Sequence, residues 1–322
     1  MEPGLNRVAA EHSFSGVVGI EQNGELRTRA YGLADRAHGV AASAEHRFGI
    51  ASGTKTLTAL GVLTAVADGT IHLDLLVREL LRDDLPLVDD RVTVRHLLHH
   101  RSGIGDYFDE DADPDLFDYA MNVSVHTLDG SSGYLSALAG YQQKFEPDTD
   151  FSYCNSGYVL LGVLLERATG TPYTEVIAER VTGPAGMTRT EFLRMDSLPG
   201  DAAVGYLADG LRTNVLHLPV VGFGDGGVFT TVADVHRLWA ALVDGRFGSD
   251  VLTTMTTAPV PGARYGMGMW LAETPGTMTM EGMDAGASFR STRIADGSTY
   301  SVLSNTTSGA WPIARYLAEA LG

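Results

Sequence analysis

Phe48-Gly49-Ile50-Ala51-Ser52-Gly53-Thr54-Lys55-Thr56 is the stretch on which the reading of this chain turns. It sets a lysine three residues after a serine, in a chain with only two lysines against 21 arginines. Arginine keeps its proton in proteins, whereas a buried lysine can give its proton up and act as a base. A serine hydroxyl is a weak nucleophile until a neighbouring base takes its proton. On a helix, residues i and i+3 share a face, so Ser52 Oγ and Lys55 Nζ can meet inside one pocket. By itself S-x-x-K is a weak signal, because it arises by chance about once in a chain of this length. Here the rarity of lysine sharpens it, and the pair points to a nucleophile with its base.

Outward from this stretch, Leu57, Leu60, Leu63 and Val66 recur at helical spacing, which predicts a helix from Ser52 to Asp68 closed by Gly69. Upstream, Phe14 to Glu21 and Leu26 to Tyr31 flank Asn23-Gly24, the strongest short-range hairpin signal. Residues 70 to 220 read as helical pieces between Asp-, Pro- and Gly-rich loops, the clearest being Tyr158 to Thr169 ending at Gly170. A further helix is expected from about Asp234 to Val243. Strand signals return at 265–272, 277–283, 288–294 and 300–304, with turn residues such as Asp296-Gly297 between them. A last helix covers Trp311 to Leu321. Strands at both ends of the chain imply one sheet built from both termini, with the helical middle inserted and a crevice between the two.

Bulk composition excludes several classes of function. Forty acidic residues against 23 basic ones give a formal net charge of −17. That balance argues against nucleic acid and anionic membrane surfaces, which attract basic patches. No apolar run approaches the roughly 20 residues of a membrane span. A single cysteine, Cys154, allows no intrachain disulfide. Met1 to Val8 lacks the charged start and apolar core of a secretory signal, so with Met1 as the start the expectation is a cytoplasmic protein; a leader upstream would make it secreted.

Two more segments join the serine and lysine. Phe145-Glu146-Pro147-Asp148-Thr149-Asp150-Phe151-Ser152-Tyr153-Cys154-Asn155-Ser156-Gly157-Tyr158 leads into the Tyr158 helix, and Gly224-Asp225-Gly226-Gly227-Val228-Phe229-Thr230-Thr231 leads into the Asp234 helix. With Val92-Thr93-Val94-Arg95-His96-Leu97-Leu98-His99-His100-Arg101-Ser102-Gly103, they resemble the serine β-lactamase-like superfamily. The branch is that of class C β-lactamases, D-Ala-D-Ala carboxypeptidases and related esterases, and the likeness runs from about residue 13 to 306. It implies that Ser52 is the acylated nucleophile and Lys55 its base. Tyr153 would shuttle the proton as phenol and phenolate, its charge held by Lys55. Asn155 would anchor Lys55 or bind an acyl-side amide of the substrate.

The sequence departs from the family at its third motif, Lys-Thr-Gly or His-x-Gly on the strand lining the site. The corresponding segment is Glu281-Gly282-Met283-Asp284-Ala285-Gly286-Ala287-Ser288-Phe289. Aligned on it, Met283 takes the place of the cation or imidazole, Asp284 the middle position and Ala285 the glycine. Gly286 N–H would form the oxyanion hole with Ser52 N–H, since backbone donors need no particular side chain. Methionine carries no charge, and an aspartate beside it repels anions, which favours a neutral ester or amide over a penicillin. The alternative is that Arg290 or Arg293 restores the charge.

Other chemistries fit less well. His96, His99 and His100 have a spacing that could offer zinc ligands, but packing is the better reading of that segment. The acidic run Asp106, Asp109, Glu110, Asp111, Asp113 and Asp115 lacks the twelve-residue calcium-loop pattern and reads as a solvated loop at the cleft rim. Cys154 has no His–Asn pair to activate it, and no G-x-S-x-G elbow occurs. The expected fold is α+β: about five antiparallel strands from residues 1–70 and 225–322, flanked by helices, with residues 71–224 as an inserted, mostly helical domain. The expected function is a serine hydrolase, foremost a carboxylesterase on small acyl esters, needing no cofactor and no metal. A carboxypeptidase, D-aminopeptidase or weak β-lactamase of the same mechanism is the alternative, and a non-catalytic ligand-binding homologue is the rival from another class. The partner is a small ester or amide substrate.

Overall fold

The computed structural model of the chain describes residues 2–112, 114–207, 210 and 212–321, so Asp113 lies outside the described residues. Asn23 and Gly24 take positive φ angles of 54° and 77°. That is the backbone of a two-residue hairpin turn whose twist matches its strands. The turn joins β1 (Gly16–Gln22) to β2 (Glu25–Tyr31). Next come a short ribbon of β3 (Leu33–Asp35) and β4 (Val40–Ala41). A small sheet then combines β5 (Phe48–Gly49), β6 (Glu191–Phe192) and β7 (Val228–Thr230) in the order β5-β7-β6. The last strands are β8 (Trp270–Leu271), β9 (Met278–Asp284), β10 (Ala287–Arg293) and β11 (Thr299–Ser304). With the hairpin they form the main antiparallel sheet, ordered β2-β1-β11-β10-β9-β8.

The main sheet thus has six strands, where about five were expected. Its sixth is a two-residue edge, although a strand was expected over 265–272. Gly268 at φ +78° lies against the Lys55 carbonyl and the Ala59 side chain. The segment therefore turns to touch the central helix instead of extending, and Tyr265 meets Trp270 only in an isolated bridge.

Alternation along the strands divides the core in two. Val17 pairs with Leu303, and Val18 with Val302. Successive strand residues face opposite sides of a sheet. Accordingly Val17 and Leu303 join the large core around the Thr54–Ala67 helix, with Phe289 and Trp239. Val18 and Val302 face the Glu2–Glu11 and Ala310–Leu321 helices, against Leu5, Val8, Ile313 and Leu317. β11 is central and buried along its whole length, while β2 carries Glu25, Arg27 and Arg29 on an exposed edge, where charge discourages pairing with another chain. Among the described residues no helix is long and apolar enough to cross a membrane.

The predicted helices form with shifted ends. Ala51–Gly53 is a 3₁₀ turn and the α-helix begins at Thr54. The Asn155–Thr169 helix starts three residues earlier than expected and closes on Gly170 at φ +71°. Val232–Val243 begins where the Thr231 hydroxyl accepts from Asp234 N–H, a side-chain cap.

Candidate active site

Ser52 sits in the 3₁₀ turn, one turn ahead of Lys55 on the central helix. Its neighbour Ala51 adopts φ +46°, a left-handed conformation unusual for a residue with a side chain and typical of strain held at functional sites. Lys55 is 1 % exposed. Its Nζ lies 2.9 Å from Ser52 Oγ, 2.7 Å from Asn155 Oδ1 and 2.9 Å from the Asp225 carbonyl. Burial lowers the lysine pKa, opposed by the charges of Asp225, Glu110, Asp106 and Asp284.

Tyr153 closes the group, its hydroxyl hydrogen-bonded with Ser52. Its ring is held between two others: His100 at 4.3 Å and Trp270 at 6.0 Å, the latter within 7° of parallel. Lys55 Nζ lies 5.0 Å from the ring centre. The phenolate expected here does not suit these surroundings. Burial pushes the phenol well above the usual tyrosine range, and the charges of Glu110, Asp225 and Glu281 add to it. A lysine itself driven toward neutrality cannot offset them, so Tyr153 rests as a phenol.

His100 is a residue that the sequence assigned only to packing. It is buried at φ +56°, its Nδ1 accepts from Cys154 N–H, and its Nε2 has no hydrogen-bond partner. Burial and the nearby Lys55 keep the ring neutral. The other two histidines point elsewhere: His96 Nδ1 accepts from Thr93 N–H, and His99 Nδ1 meets the Gly266 carbonyl. Among the described residues no group of three His, Cys, Asp or Glu side chains could hold a metal ion.

Asn155 owes its position to Asp106, which the sequence reading left in a solvated loop. Asp106 is instead buried, and its carboxylate accepts from Asn155 N–H, Ser156 N–H and the Ser156 hydroxyl at 2.8–2.9 Å. A carboxylate at a helix N-terminus satisfies free N–H groups and meets the positive end of the helix dipole. Asn155 Nδ2 donates to the Phe108 carbonyl and to Glu110, which turns Oδ1 toward Lys55. Nothing local marks Asp106 within a run of six acids. Of that run, Asp109 and Asp111 pair with Lys144 at the surface.

The third motif stands three residues earlier than aligned. Gly286 N–H donates to Thr307 Oγ1, and Gly286 packs against Gly205 and Asn214, so it does not serve Ser52. The glycine at the nucleophile is Gly282. A β-carbon there would fall 2.5 Å from Ser52 N, 2.4 Å from Ile50 O and 2.7 Å from Gly53 N, closer than real atoms approach. Two residues before it is Met280, buried in the core, and between them is Glu281. The expected cation is absent from this register too. Arg290 does not replace it, being paired with Glu281 and stacked on Trp311. Arg293 donates to the Gly297 carbonyl and Thr299 hydroxyl at the far end of β10.

Two pockets meet at Ser52. One is lined by Glu110, Asn155, His217, Asp225, Met283 and Asp284, the other by Glu110, Tyr153, Trp270, Glu281, Gly282 and Trp311. Among the described residues no arginine lines either, whereas four carboxylates do. Burial raises the Asp284 pKa to about 7 from 3.8, with Asp225 adding to the shift. The folded chain therefore holds this proton more tightly than the unfolded one. Its contribution to stability is complete below pH 3.8 and lost as pH rises through about 7. Asp284→Asn cannot titrate, so melting curves from pH 4 to 8 should show the variant gaining on wild type as pH rises. A difference between the two that does not change with pH would mean that Asp284 holds no such proton.

The Beta-lactamase family model matches residues 5–321. The chain belongs to that family. It is 26 % identical over 304 residues to the putative penicillin-binding protein PbpX of Bacillus subtilis, covering 93 % of this chain and 72 % of that one. It is 29 % identical to a D-aminopeptidase of Brucella anthropi, over 81 % of this chain but only 49 % of the relative. The crystal structure of a penicillin-binding protein from Bacillus halodurans superposes with a TM-score of 0.92 at 29 % identity, covering 98 % of this chain and all of the other. This β-lactamase-family chain is a serine hydrolase of the α+β β-lactamase fold.

Proposed function

We propose that the chain hydrolyses amides, and esters of the same acyl groups, whose acyl part carries an amine, through an acyl-enzyme on Ser52. The observation that carries this is the acidic lining of the site: Glu110, Asp225, the Arg290-paired Glu281 and Asp284, which loses its proton at about pH 7, face the cleft, and among the described residues Lys55 is the basic side chain bonded to the nucleophile. Such a wall repels a carboxylate-bearing penicillin or peptide C-terminus and attracts an ammonium. The likeness to a D-aminopeptidase supports the same reading.

In this reading Lys55 is the base. Asn155 Oδ1 and the Asp225 carbonyl accept two N–H bonds of its amine, which leaves the lone pair for Ser52. Ser52 Oγ attacks the substrate carbonyl carbon as its proton passes to Lys55 Nζ. The oxyanion forms beside Ser52 N–H, where Gly282 lets β9 approach. Tyr153 gives its proton to the leaving nitrogen or oxygen and regains one from the Lys55 ammonium. The bond to the leaving group breaks and the acyl-enzyme remains. Water then attacks the same carbonyl, its proton returns through these groups, and the bond to Oγ breaks.

The test is kcat/KM for the p-nitroanilides of D- and L-alanine beside their N-acetyl forms, with a fluorescent penicillin scored for adduct by intact mass. The free amines should be preferred by roughly tenfold or more, as a hydrogen bond to a charged group of about 1.5–3 kcal/mol implies. Little penicillin adduct should form. Preference for the acetylated compounds, with a stable adduct on Ser52, would overturn the proposal. Small acyl esters without an amine form the second reading, favoured by the uncharged Met280 at the motif position that usually bears a cation.

A further inference from the structure

Behind the catalytic pocket lies a second cavity of about 60 Å³ that the mechanism above leaves unused. The two share Tyr107, Leu218, Pro219, Asp225, Gly226 and Asp284, so they are separated only by a common wall. Ala51, the neighbour of the nucleophile, lines the inner cavity. Small residues bound it at Gly49, Ala203, Gly226 and Ala287, and larger ones at Tyr107, Tyr134, Met195, Leu218 and Phe229. Most of its surface is apolar.

Its roof is fixed rather than collapsed. Asn214 Nδ2 donates to the Ala285 carbonyl and Asn214 N–H to the Gly205 carbonyl, pinning the 213–222 loop above the end of β9. In that wall Tyr107 donates to the Asp225 carboxylate, so these two side chains, which line both cavities, are tied to each other. A cavity of this size is large enough for several waters, but an apolar lining gives water few partners and favours an apolar guest. Ligand pockets commonly combine such a lining with a few placed polar groups.

We propose that this inner chamber is the subsite for the acyl side chain of the substrate: it admits a compact apolar group, branched aliphatic or a single ring, while the carbonyl carbon lies at Ser52. The chamber then selects by size, and the two aspartates at its mouth face whatever polar group the acyl part carries next to that side chain. The inference rests on the acyl-enzyme reading, and its size selection is independent of the proposed amine.

The experiment uses two series that differ in side-chain size: p-nitroanilides of glycine, alanine, leucine and phenylalanine in both configurations, and p-nitrophenyl acetate, isovalerate and phenylacetate. Two variants narrow the chamber. Ala287→Leu fills it directly. Gly49→Ala is the milder change, because a β-carbon there meets nothing nearer than 3.7 Å and the fold has room for it. In whichever series wild type turns over, both variants should depress the branched and aromatic members by about 10-fold or more relative to the smallest, the range seen when a pocket loses room for one or two methylenes. An unchanged size profile in both variants, or an equal loss across all members, overturns the chamber as a subsite while leaving the hydrolase reading intact. Size selection seen in the ester series alone keeps the chamber and removes the amine from the proposed function. Absence of any Ser52-dependent turnover overturns the hydrolase reading and the chamber with it.

Discussion

Ser52→Ala and Lys55→Arg, made singly or together, are expected to lower kcat/KM on the best amide or ester substrate by about 10⁴–10⁶-fold, with the double variant little worse than either single one. Groups that act as one unit lose most of their effect with the first deletion. The arginine change is the more telling of the two. It fixes a positive charge at the position, and guanidinium stays protonated and cannot take the serine proton. It also needs more room than the 1 % exposure of Lys55 leaves, so the fold of each variant should be checked by melting before rates are compared. Lys55→Arg retaining more than about a tenth of the wild-type rate would show that the charge matters and the base does not. That outcome would move the base to Tyr153, whose phenol is otherwise held protonated by burial.

What the sequence could and could not yield follows from how far apart the deciding contacts lie. The Asn23-Gly24 turn is legible because two adjacent residues with positive φ dictate it. Ser52 and Lys55 are legible because one helical turn joins them, and Tyr153 because its flanks repeat a family pattern. Asp106 is different. Its role depends on a helix that begins some fifty residues later, and within an acidic run its composition looks like solvent-facing loop. His100 likewise becomes part of the site only when the Tyr153 ring packs against it. β8 shrinks because Gly268 must fit against the helix that carries Lys55, a contact of 213 residues' separation in the chain. The register of β9 fails for the same reason. Gly282 and Gly286 are both glycines on a short polar segment, and only the contact with Ser52 tells which one lines the site.

That register gives the second large effect. Gly282→Ala is expected to lower kcat/KM by about 10²-fold or more, whereas Ala285→Gly should change it by less than about threefold. The added β-carbon would fall 2.5 Å from Ser52 N and 2.4 Å from Ile50 O, both backbone atoms that cannot rotate away. Either β9 or the Ala51–Gly53 turn must move, and a displacement of about 1 Å at the reacting centre is enough for a loss of that size. Stability should fall less sharply, by about 1–3 kcal/mol, as for overpacking elsewhere. The kinetic loss should lie in kcat rather than KM, because an oxyanion donor acts on the transition state more than on the bound substrate. Ala285 is buried too, but it sits at the β9–β10 turn, with its carbonyl bonded to Asn214 instead of facing Ser52. Should Ala285→Gly raise the rate and Gly282→Ala leave it unchanged, the glycine of the third motif belongs at 285, Met283 returns to the position of the missing cation, and the approach of β9 to Ser52 has no part in the chemistry.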